Sequence, residues 1–348
     1  MAEAEAVLSV QDLRVGFPAA DGELEAVRGV NFILRRGECL GIVGESGSGK
    51  SVSAAAILGL LAKDARLQGR IQLHGRELSG AQAQGLEEVR GTKVSMIFQE
   101  PSRSFDPIYS IGKTFEETLR VKQPGLSADR CRERAERLLV EVHIPRAGER
   151  LKSFPHQLSG GMLQRIMIAL ALANDPEVLI ADEPTTALDV TIQAEIVGLL
   201  KELQARRSLS MIFISHNLAL VGQVAGRILV MYAGLVLEAG QTSEVLVRPR
   251  SPYTRALLDS LPGWGSHYSG EKLATIPGSV PDPSRPEPGC PFAPRCPLAV
   301  ARCLEAIPAL VRDQDGRQVA SESASEQAED GAGKPGSAYR CIFPGVKE

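Results

Sequence analysis

The stretch Gly44–Ser51 reads GESGSGKS and decides the fold class of this 348-residue chain. It matches the pattern G-x-x-x-x-G-K-[S/T], in which a glycine-rich loop joins a strand to a helix and surrounds phosphates with backbone N–H groups. The apolar run Cys39–Val43 precedes the loop, and a helical pattern from Ser51 to Leu61 follows it. We therefore expect an α/β fold with a P-loop nucleotide site.

The rest of the chain alternates between apolar runs and helical periodicity, as expected for helices packed on a mostly parallel sheet. Strands are predicted at Val7–Phe17, Cys39–Val43, Val94–Phe98, Val178–Ala181, Met211–Ile214 and Ile228–Met231. Further helices are predicted at Arg130–Val142, Gly161–Ala173 and Thr191–Arg206. The stretch from about Ser102 to Pro176 shows helical pattern without a strong strand, which indicates a helical insertion.

The composition changes after Leu261, where proline, glycine and serine become frequent. We predict a single nucleotide-binding domain over 1–261, with the helical insertion at 102–176, and a loop-rich extension over 262–348. The segment from Asp313 to Ala338 is acidic and of low complexity, a composition that packs poorly. No internal repeat is evident, so one nucleotide-binding domain is expected and not two.

Charge and hydropathy exclude several function classes. The 39 Lys and Arg residues against 42 Asp and Glu residues give a net charge of −3, so electrostatics offers no reason to expect nucleic acid as a partner. The N-terminus lacks the pattern of a secretory signal, and no run approaches the length of a membrane-spanning helix. We expect a cytosolic chain whose membrane role, if it has one, is peripheral.

The phosphate loop supplies most of the candidate nucleotide ligands. Lys50 is placed to reach the β- and γ-phosphates of ATP, and the Ser51 hydroxyl to bind Mg²⁺. A glycine-rich turn alone is common, but the strand before it and the helix after it favour the nucleotide site. The candidate ATP-binding residues are Gly44, Glu45, Ser46, Gly47, Ser48, Gly49, Lys50, Ser51 and Val52.

Two carboxylates end a second apolar strand, in the sequence VLIADE from Val178 to Glu183. Asp182 is predicted to hold Mg²⁺ through water, and Glu183 to orient the attacking water beside the γ-phosphate. On their own these two acids would be read as solvated turn residues. Their combination with the phosphate loop makes the catalytic reading the better one.

A second anion-binding device lies in the helical insertion, where Leu158–Met162 reads LSGGM and precedes a helix. A Gly-Gly turn at a helix start directs backbone amides and a serine hydroxyl outward. The stretch resembles the LSGGQ signature of ATP-binding-cassette (ABC) ATPases, with Met162 in place of glutamine. LSGGM looks like the variant found in peptide-importer subunits, and Ser159, Gly160 and Gly161 can still hold a phosphate.

The resemblance to ABC ATPases covers roughly residues 7–260 and implies roles for further residues. Phe17 would stack on adenine, Gln99 in FQEP would be the Q-loop residue and a Mg²⁺ ligand with Ser51 and Asp182, and His216 in ISHN would be the switch histidine. The run ALD, at residues 187–189, would be the D-loop, with Asp189 as its acidic residue. Each of these residues alone would be read as ordinary packing or hydrogen bonding; their joint order favours function.

The resemblance also implies a fold and a mechanism. The fold would comprise a RecA-like core with a mixed sheet, a helical subdomain and an antiparallel β subdomain. Two such domains would pair head to tail around two ATP molecules, because a lone P-loop leaves one side of the γ-phosphate open. The residues acting on the chain's own ATP would be Lys50, Ser51, Gln99, Asp182, Glu183 and His216. The residues acting on the partner's ATP would be Ser159, Gly160, Gly161 and Met162.

Four of the six cysteines crowd the C-terminal end with the spacing C-x5-C-x6-C-x37-C. Cytosolic disulfides are improbable, and four thiolates suit either zinc or an iron–sulfur cluster. The segment resembles the extension of oligopeptide and dipeptide importer ATPases, GCxFxPRCxxAxxxC, which can carry a [4Fe-4S] cluster. The resemblance implies Cys290, Cys296, Cys303 and Cys341 as its ligands, although a long insert precedes Cys341; zinc and a metal-free segment stay open. Cys39 and Cys131 are expected to be buried or incidental thiols.

The resemblance therefore predicts the ATPase subunit of an importer at the cytoplasmic face of the membrane. Its solute would be dipeptides, oligopeptides or a related small solute such as nickel. Its partners would be a second ATPase subunit (a heterodimer in preference to a homodimer), two transmembrane permeases and, indirectly, an external solute-binding protein. The alternative is an ABC ATPase without transport that acts on ribosomes or DNA. A redox protein with a degenerate ATPase is disfavoured, since every catalytic motif is complete.

Overall fold

The structure, a computed structural model, describes residues 5–19, 22–79, 85–186, 188–261, 275–284, 287–312 and 338–341. Its strands are β1 Ala6–Ala19, β2 Gly22–Arg35, β3 Cys39–Val43, β4 Arg66–Leu73, β5 Arg76–Glu77, β6 Val94–Ile97, β7 Val178–Asp182, β8 Ser210–Ser215, β9 Arg227–Tyr232, β10 Leu235–Gln241, β11 Val311–Arg312 and β12 Ala338–Tyr339. Its α-helices are α1 Lys50–Ile57, α2 Leu86–Val89, α3 Pro101–Ser104, α4 Ile111–Lys122, α5 Ala128–Glu141, α6 Ala147–Arg150, α7 Gly160–Ala171, α8 Val190–Arg207, α9 Leu218–Val224, α10 Thr242–Val247, α11 Pro252–Asp259 and α12 Arg302–Glu305.

The larger sheet has eight strands in the order β11-β12-β10-β9-β3-β8-β7-β6. The five strands from β9 to β6 in this order run parallel, whereas β10, β11 and β12 join antiparallel. Every residue of β3, β7 and β8 is buried, which explains why these strands are nearly continuous apolar runs. The predicted α/β fold with a mixed sheet is confirmed.

The smaller sheet is antiparallel, with the order β2-β1-β4-β5. The sequence predicted β1 but not β2, β4 or β5. Charged residues interrupt β2 (GELEAVRGVNFILR) and β4 (RLQGRIQL), so their apolar residues do not stand out as strand patterns. One face of each nevertheless supplies buried side chains such as Val30, Leu34 and Ile71 to a core shared with the larger sheet. The antiparallel β subdomain implied by the family resemblance is present.

The helical insertion contains α3 to α7, and no strand occurs between residues 101 and 177, all of which are described. Helices α4, α5 and α7 are preceded by the N-cap residues Ser110, Ser127 and Ser159, and each serine hydroxyl accepts a backbone N–H from the first turn. Such N-caps stabilise a helix start by about 1 kcal/mol. Residues at helical spacing, among them Phe115 and Leu139, are buried in one core.

The C-terminal region packs onto the edge of the larger sheet. Phe292 is buried in the same core as Tyr232 of β9 and Tyr253 of α11, and the three ring centroids lie 4.6–5.5 Å apart. Strand β12 pairs with β10 and carries the chain to Cys341. The predicted low-complexity segment falls almost wholly outside the described residues. Within the described part of the chain, no helix is long and apolar enough to span a membrane.

Candidate active site

The sequence-predicted catalytic residues meet where four neighbouring parallel strands end. The phosphate loop follows β3, Gln99 follows β6, Glu183 follows β7, and His216 follows β8. Because the carboxyl ends of parallel strands lie at one edge of a sheet, these side chains share one cleft. The cleft has a volume of about 480 Å³. Its described lining comprises Glu45, Ser46, Gly47, Ser48, Gly49, Lys50, Ser51, Val52, Gln99, Glu183 and His216.

Two glycines let the phosphate loop pass close to neighbouring backbone. Gly44 has φ +154° and Gly49 has φ +93°, conformations that residues with a Cβ rarely adopt. A Cβ at Gly44 would lie 2.0 Å from the Met231 carbonyl oxygen, and one at Gly49 would lie 2.4 Å from the Ala26 carbonyl oxygen. The glycines of the motif are therefore required by packing as well as by the ligand that the loop would surround.

Lys50 is buried under the phosphate loop with its ammonium group at the cleft. Its Nζ donates to the carbonyl oxygens of Gly44 and Glu45, both at 2.8 Å, and lies 3.3 Å from Ser48 Oγ. Burial lowers the pKa of Lys50, and the charges of Glu183, Asp182 and Glu45 oppose that shift. The site therefore places a desolvated cation where a polyphosphate would enter.

Ser51 and Asp182 form an oxygen pair suited to a magnesium ion. The Ser51 hydroxyl donates to Asp182 Oδ1 at 2.9 Å, although the two residues are 131 positions apart. Burial raises the pKa of Asp182, while the Ser51 hydrogen bond and Lys50 oppose the shift. A hydroxyl and a carboxylate are the hard oxygen donors that Mg²⁺ prefers, so this pair fits the metal in kind.

Glu183, the residue after Asp182, is the centre of a hydrogen-bonded group of side chains. Its Oε2 lies 2.7 Å from Thr186 Oγ1, 3.2 Å from Gln99 Nε2 and 3.3 Å from His216 Nδ1. The His216 contact chiefly lowers the pKa of Glu183, to about 2, and Glu183 raises the pKa of His216. The Glu183 backbone has φ +46°, a left-handed conformation uncommon for a residue with a side chain. Such outliers concentrate at functional sites.

Other predicted site residues lie away from this cleft. Phe17, at the end of β1, is half-buried and packs against the core between the two sheets, outside the described lining of the cleft. The signature residues Ser159, Gly160, Gly161 and Met162 stand at the start of α7, with Ser159 and Gly160 exposed. Asp189 caps α8, accepting the Ile192 N–H at 3.0 Å. Residue 187 of the predicted D-loop lies outside the described residues.

Three further residues contact the site and were missed from the sequence. Thr186 donates to Glu183, and its position three residues later was the only available signal. The Tyr253 hydroxyl accepts the Glu45 backbone N–H at 3.0 Å, and Arg295 forms an ion pair with the Glu45 carboxylate at 3.0 Å. These two residues are 208 and 250 positions from Glu45, a separation that no local pattern bridges.

The four C-terminal cysteines line a second cavity, of about 30 Å³. Its described lining is mostly apolar and comprises Leu237, Ser251, Pro252, Cys290, Phe292, Ala293, Cys296, Leu298, Cys303, Pro308, Arg340 and Cys341. Burial raises the pKa of Cys290 and Cys296. The thiols share one space and match a cluster in donor type, yet among the described residues no three His, Cys, Asp or Glu side chains are placed to hold a metal. The fit is therefore one of chemistry and not of formed ligand geometry.

Comparison with known proteins agrees with this geometry. The family described as "ABC transporter" matches residues 27–186, and the family described as "Oligopeptide/dipeptide transporter, C-terminal region" matches residues 237–303. A putative peptide import ATP-binding protein of Brucella abortus (strain 2308) is 46% identical over 303 residues, 87% of this chain and 90% of that protein. The dipeptide transport ATP-binding protein DppD of Escherichia coli (strain K12) is 45% identical over 331 residues, 95% of this chain and 99% of that protein.

Solved structures give the same answer. The dimeric, post-hydrolysis ATP-binding cassette MJ0796, bound to ADP and Pi, aligns with a TM-score of 0.61 at 26% identity, over 68% of this chain and 98% of that one. The fold, the cleft at the strand ends and these similarities all indicate the same family. The chain is a member of the ABC transporter family, an ABC-type ATPase of the group that carries the oligopeptide/dipeptide transporter C-terminal region.

Proposed function

We propose that this chain is the ATP-hydrolysing subunit of an importer for dipeptides or oligopeptides. The observation that carries the proposal is the cleft where Lys50, the Ser51–Asp182 pair and Glu183 meet. The family match of the C-terminal region and the names of the relatives support a peptide as the solute. The nucleotide-binding domain is proposed to span 1–261, with its helical insertion at 102–176 and the extension at 262–348.

Residues from Gly44 to Val52 are proposed to hold the phosphates of ATP. The helix α1 begins at Lys50, so its positive dipole end and the loop N–H groups face the same ligand. Lys50 neutralises the β- and γ-phosphates, and Phe17 stacks on adenine. Ser51, Gln99 and Asp182 would hold Mg²⁺, which when bound neutralises charge on the phosphate oxygens.

Glu183 is proposed to orient the attacking water, with His216 and Gln99 beside the γ-phosphate. Its pKa of about 2 keeps the carboxylate ionised at neutral pH, so it accepts a hydrogen bond from water throughout the physiological range. The contacts from Thr186 and His216 hold the carboxylate in one direction. A fixed acceptor aimed at the nucleophile lowers the reorganisation needed in the transition state.

The ATP site is proposed to be completed by a second ATPase subunit. Ser159, Gly160, Gly161 and Met162 lie at a helix start away from the chain's own cleft, and the exposure of Ser159 and Gly160 leaves them accessible to a partner's ATP. Asp189 caps the start of α8, and this helix lies beside them because Gly161 approaches Ile192 of α8. We favour a different ATPase subunit as the partner over a second copy of this chain.

The helical insertion is proposed to dock the transmembrane permeases at the cytoplasmic face of the membrane. Ile108 is 70% exposed and Tyr109 is 39% exposed, and both follow α3, which begins two residues after Gln99. Apolar side chains this exposed are typical of interaction sites when they cluster. Their position allows the docked partner to sense the γ-phosphate through Gln99. Two permeases and, indirectly, an external solute-binding protein complete the assembly.

The cysteine cavity is proposed to hold a [4Fe-4S] cluster on Cys290, Cys296, Cys303 and Cys341. The supporting observation is that all four thiols line one cavity, although Cys341 is separated from Cys303 by a long insert. Iron and acid-labile sulfide in anaerobically purified protein would support the cluster. Stoichiometric zinc, or a colourless protein without metal, would overturn it.

Uptake by the assembled transporter tests the proposed function. Co-expression with candidate permeases and a second ATPase subunit should yield a complex in which addition of the solute-binding protein raises both ATP turnover and the uptake of labelled dipeptide. Active ATPase that associates with ribosomes or DNA, without permeases, would instead support the alternative function. The peptide-transport relatives and the net charge of −3 do not favour that alternative.

A further inference from the structure

Glu45, the second residue of the phosphate loop, is held by three residues at once. Its carbonyl oxygen accepts from Lys50 Nζ at 2.8 Å, and its N–H donates to the Tyr253 hydroxyl at 3.0 Å. Arg295 Nη1 lies 3.0 Å from each oxygen of its carboxylate. Two of these partners, Tyr253 and Arg295, belong to the C-terminal part of the chain. Contacts from outside the loop therefore help to fix its conformation.

Arg295 is itself fixed on every side. It ends a 3₁₀ helix between Cys290 and Cys296, and only 5% of its side chain is exposed. Its Nε donates to the Pro277 carbonyl at 2.8 Å and its Nη2 to the Ile276 carbonyl at 3.3 Å. A third donor, Nη1, also reaches the Tyr232 hydroxyl at 3.1 Å, and the guanidinium lies over the Tyr232 ring. A guanidinium held this way is a rigid positive charge at one end of the loop.

The charge of Glu45 explains why such a counter-ion matters. Glu45 lines the ATP cleft, and 27% of its side chain is exposed. An unpaired carboxylate at this place would repel the phosphates, since charges in a partly buried cleft are weakly screened. Arg295 neutralises that carboxylate and holds it against the segment that contains Cys290 and Cys296.

We propose that Arg295 is a positioning residue of the ATP site, through which the cysteine-containing segment sets the affinity for polyphosphates. It touches no reacting atom, and it acts by neutralising Glu45 and fixing the first turn of the loop. This inference rests on the proposed ATP site. It adds that Arg295, a residue outside the phosphate loop, affects the affinity of that site for ATP.

Nucleotide affinity in charge-altered variants tests the proposal. The full chain is titrated calorimetrically with ATP and with ADP, both with Mg²⁺. Arg295→Met should lower the affinity for ATP about tenfold and the affinity for ADP by less, because the repulsion from Glu45 grows with the charge of the phosphates. The loss should grow as ionic strength falls. The double variant Glu45→Gln/Arg295→Met should regain most of the lost affinity, since no unpaired carboxylate remains.

Arg340→Met is the matched control. Arg340 is partly buried in the same region and donates to the carbonyls of Val236 and Pro308, away from the loop, so its loss should leave ATP affinity unchanged. Unchanged affinity in Arg295→Met, or a double variant as weak as the single one, would overturn the proposal. Wild-type chain that binds no ATP would overturn the ATP site itself.

Glu45→Gln alone keeps the test decisive if Arg295→Met does not fold. It removes the carboxylate charge and leaves the Arg295 cation near the phosphates, so ATP affinity should rise above that of wild type, and by more than ADP affinity does. A tenfold-scale loss of ATP affinity in this variant would contradict the charge argument.

Discussion

The ATP cleft and the cysteine cavity are neighbours joined through Arg295, yet they are built in different ways. The cleft measures about 480 Å³ and is lined by polar and charged groups at the ends of parallel strands. The cavity measures about 30 Å³ and is lined mainly by apolar groups and thiols. The comparison indicates that the first site suits a charged ligand such as a polyphosphate, whereas the second presents thiols in an apolar surrounding.

The largest expected effect is at the cleft. Lys50→Met removes the buried cation and should lower ATP turnover by about 10²–10³-fold, since one preorganised charge on a transferring phosphoryl group contributes on that scale. The control is Lys122→Met, which loses a hydrogen bond to the Asn174 carbonyl in the helical insertion. Turnover by the purified, partner-bound chain measures the effect. Equal activity of the two variants would show that Lys50 has no role in the cleft.

Tyr253→Phe tests the link between the two regions. Tyr253 is fully buried, and its hydroxyl is the acceptor for the Glu45 N–H. Losing that acceptor should cost about 1–3 kcal/mol in the free energy of unfolding. ATP affinity should fall as well, because Glu45 stands in the phosphate loop. Denaturant unfolding and nucleotide titration measure the two effects.

Tyr109→Phe, at an exposed tyrosine of the helical insertion, should change neither quantity. A Tyr253→Phe protein with wild-type stability and wild-type ATP affinity would show that this hydrogen bond does not couple the C-terminal region to the phosphate loop.

A substitution in the cysteine cavity should lower the free energy of unfolding and leave ATP turnover unchanged. Cys303→Ala removes one of the four proposed cluster ligands, so the protein should lose iron and sulfide and about 1 kcal/mol or more in the free energy of unfolding, while turnover at saturating ATP stays unchanged. Cys131→Ala, at a buried thiol of α5, provides the comparison for loss of a thiol elsewhere in the core. A fall in saturated turnover specific to Cys303→Ala would show that the cavity participates in catalysis.

The smallest expected effect is the pH dependence of the Glu183–His216 pair. Glu183 has its pKa lowered from 4.5 to about 2, so its contribution to stability is present above pH 4.5 and is lost as pH falls towards 2. His216 has its pKa raised above 6.5, so its contribution is full below 6.5 and is lost as pH rises through the raised value. The pair therefore stabilises the chain most between these limits.

His216→Asn should thus destabilise the chain most near pH 5.5 and least near pH 9. The difference should be about 0.5 kcal/mol or less, because 60% of the His216 side chain is exposed. Denaturant midpoints of both proteins across this range measure it. A stability difference that grows with pH would contradict the assigned shift.

Much of the fold and cleft could be predicted because the decisive residues are contiguous. Residues 44–51 specify a strand, a turn and a helix together, and the buried strands β3, β7 and β8 are nearly pure apolar runs. Strands β2 and β4 escaped prediction because each buries only one face and carries charges on the other. Tyr253 and Arg295 contact Glu45 although each is more than 200 residues away from it in the sequence. No local sequence pattern predicts a contact over that separation.

The central claim is that Glu183 activates the attacking water in a cleft that binds ATP without it. Glu183→Gln keeps the shape of the side chain and removes its charge, so ATP turnover and ATP affinity of this variant, measured beside wild type, test the claim most directly. The account predicts wild-type affinity for ATP, an ATP-trapped closed dimer, and turnover reduced by about 10²–10⁴-fold. Steady-state turnover near that of wild type would contradict it.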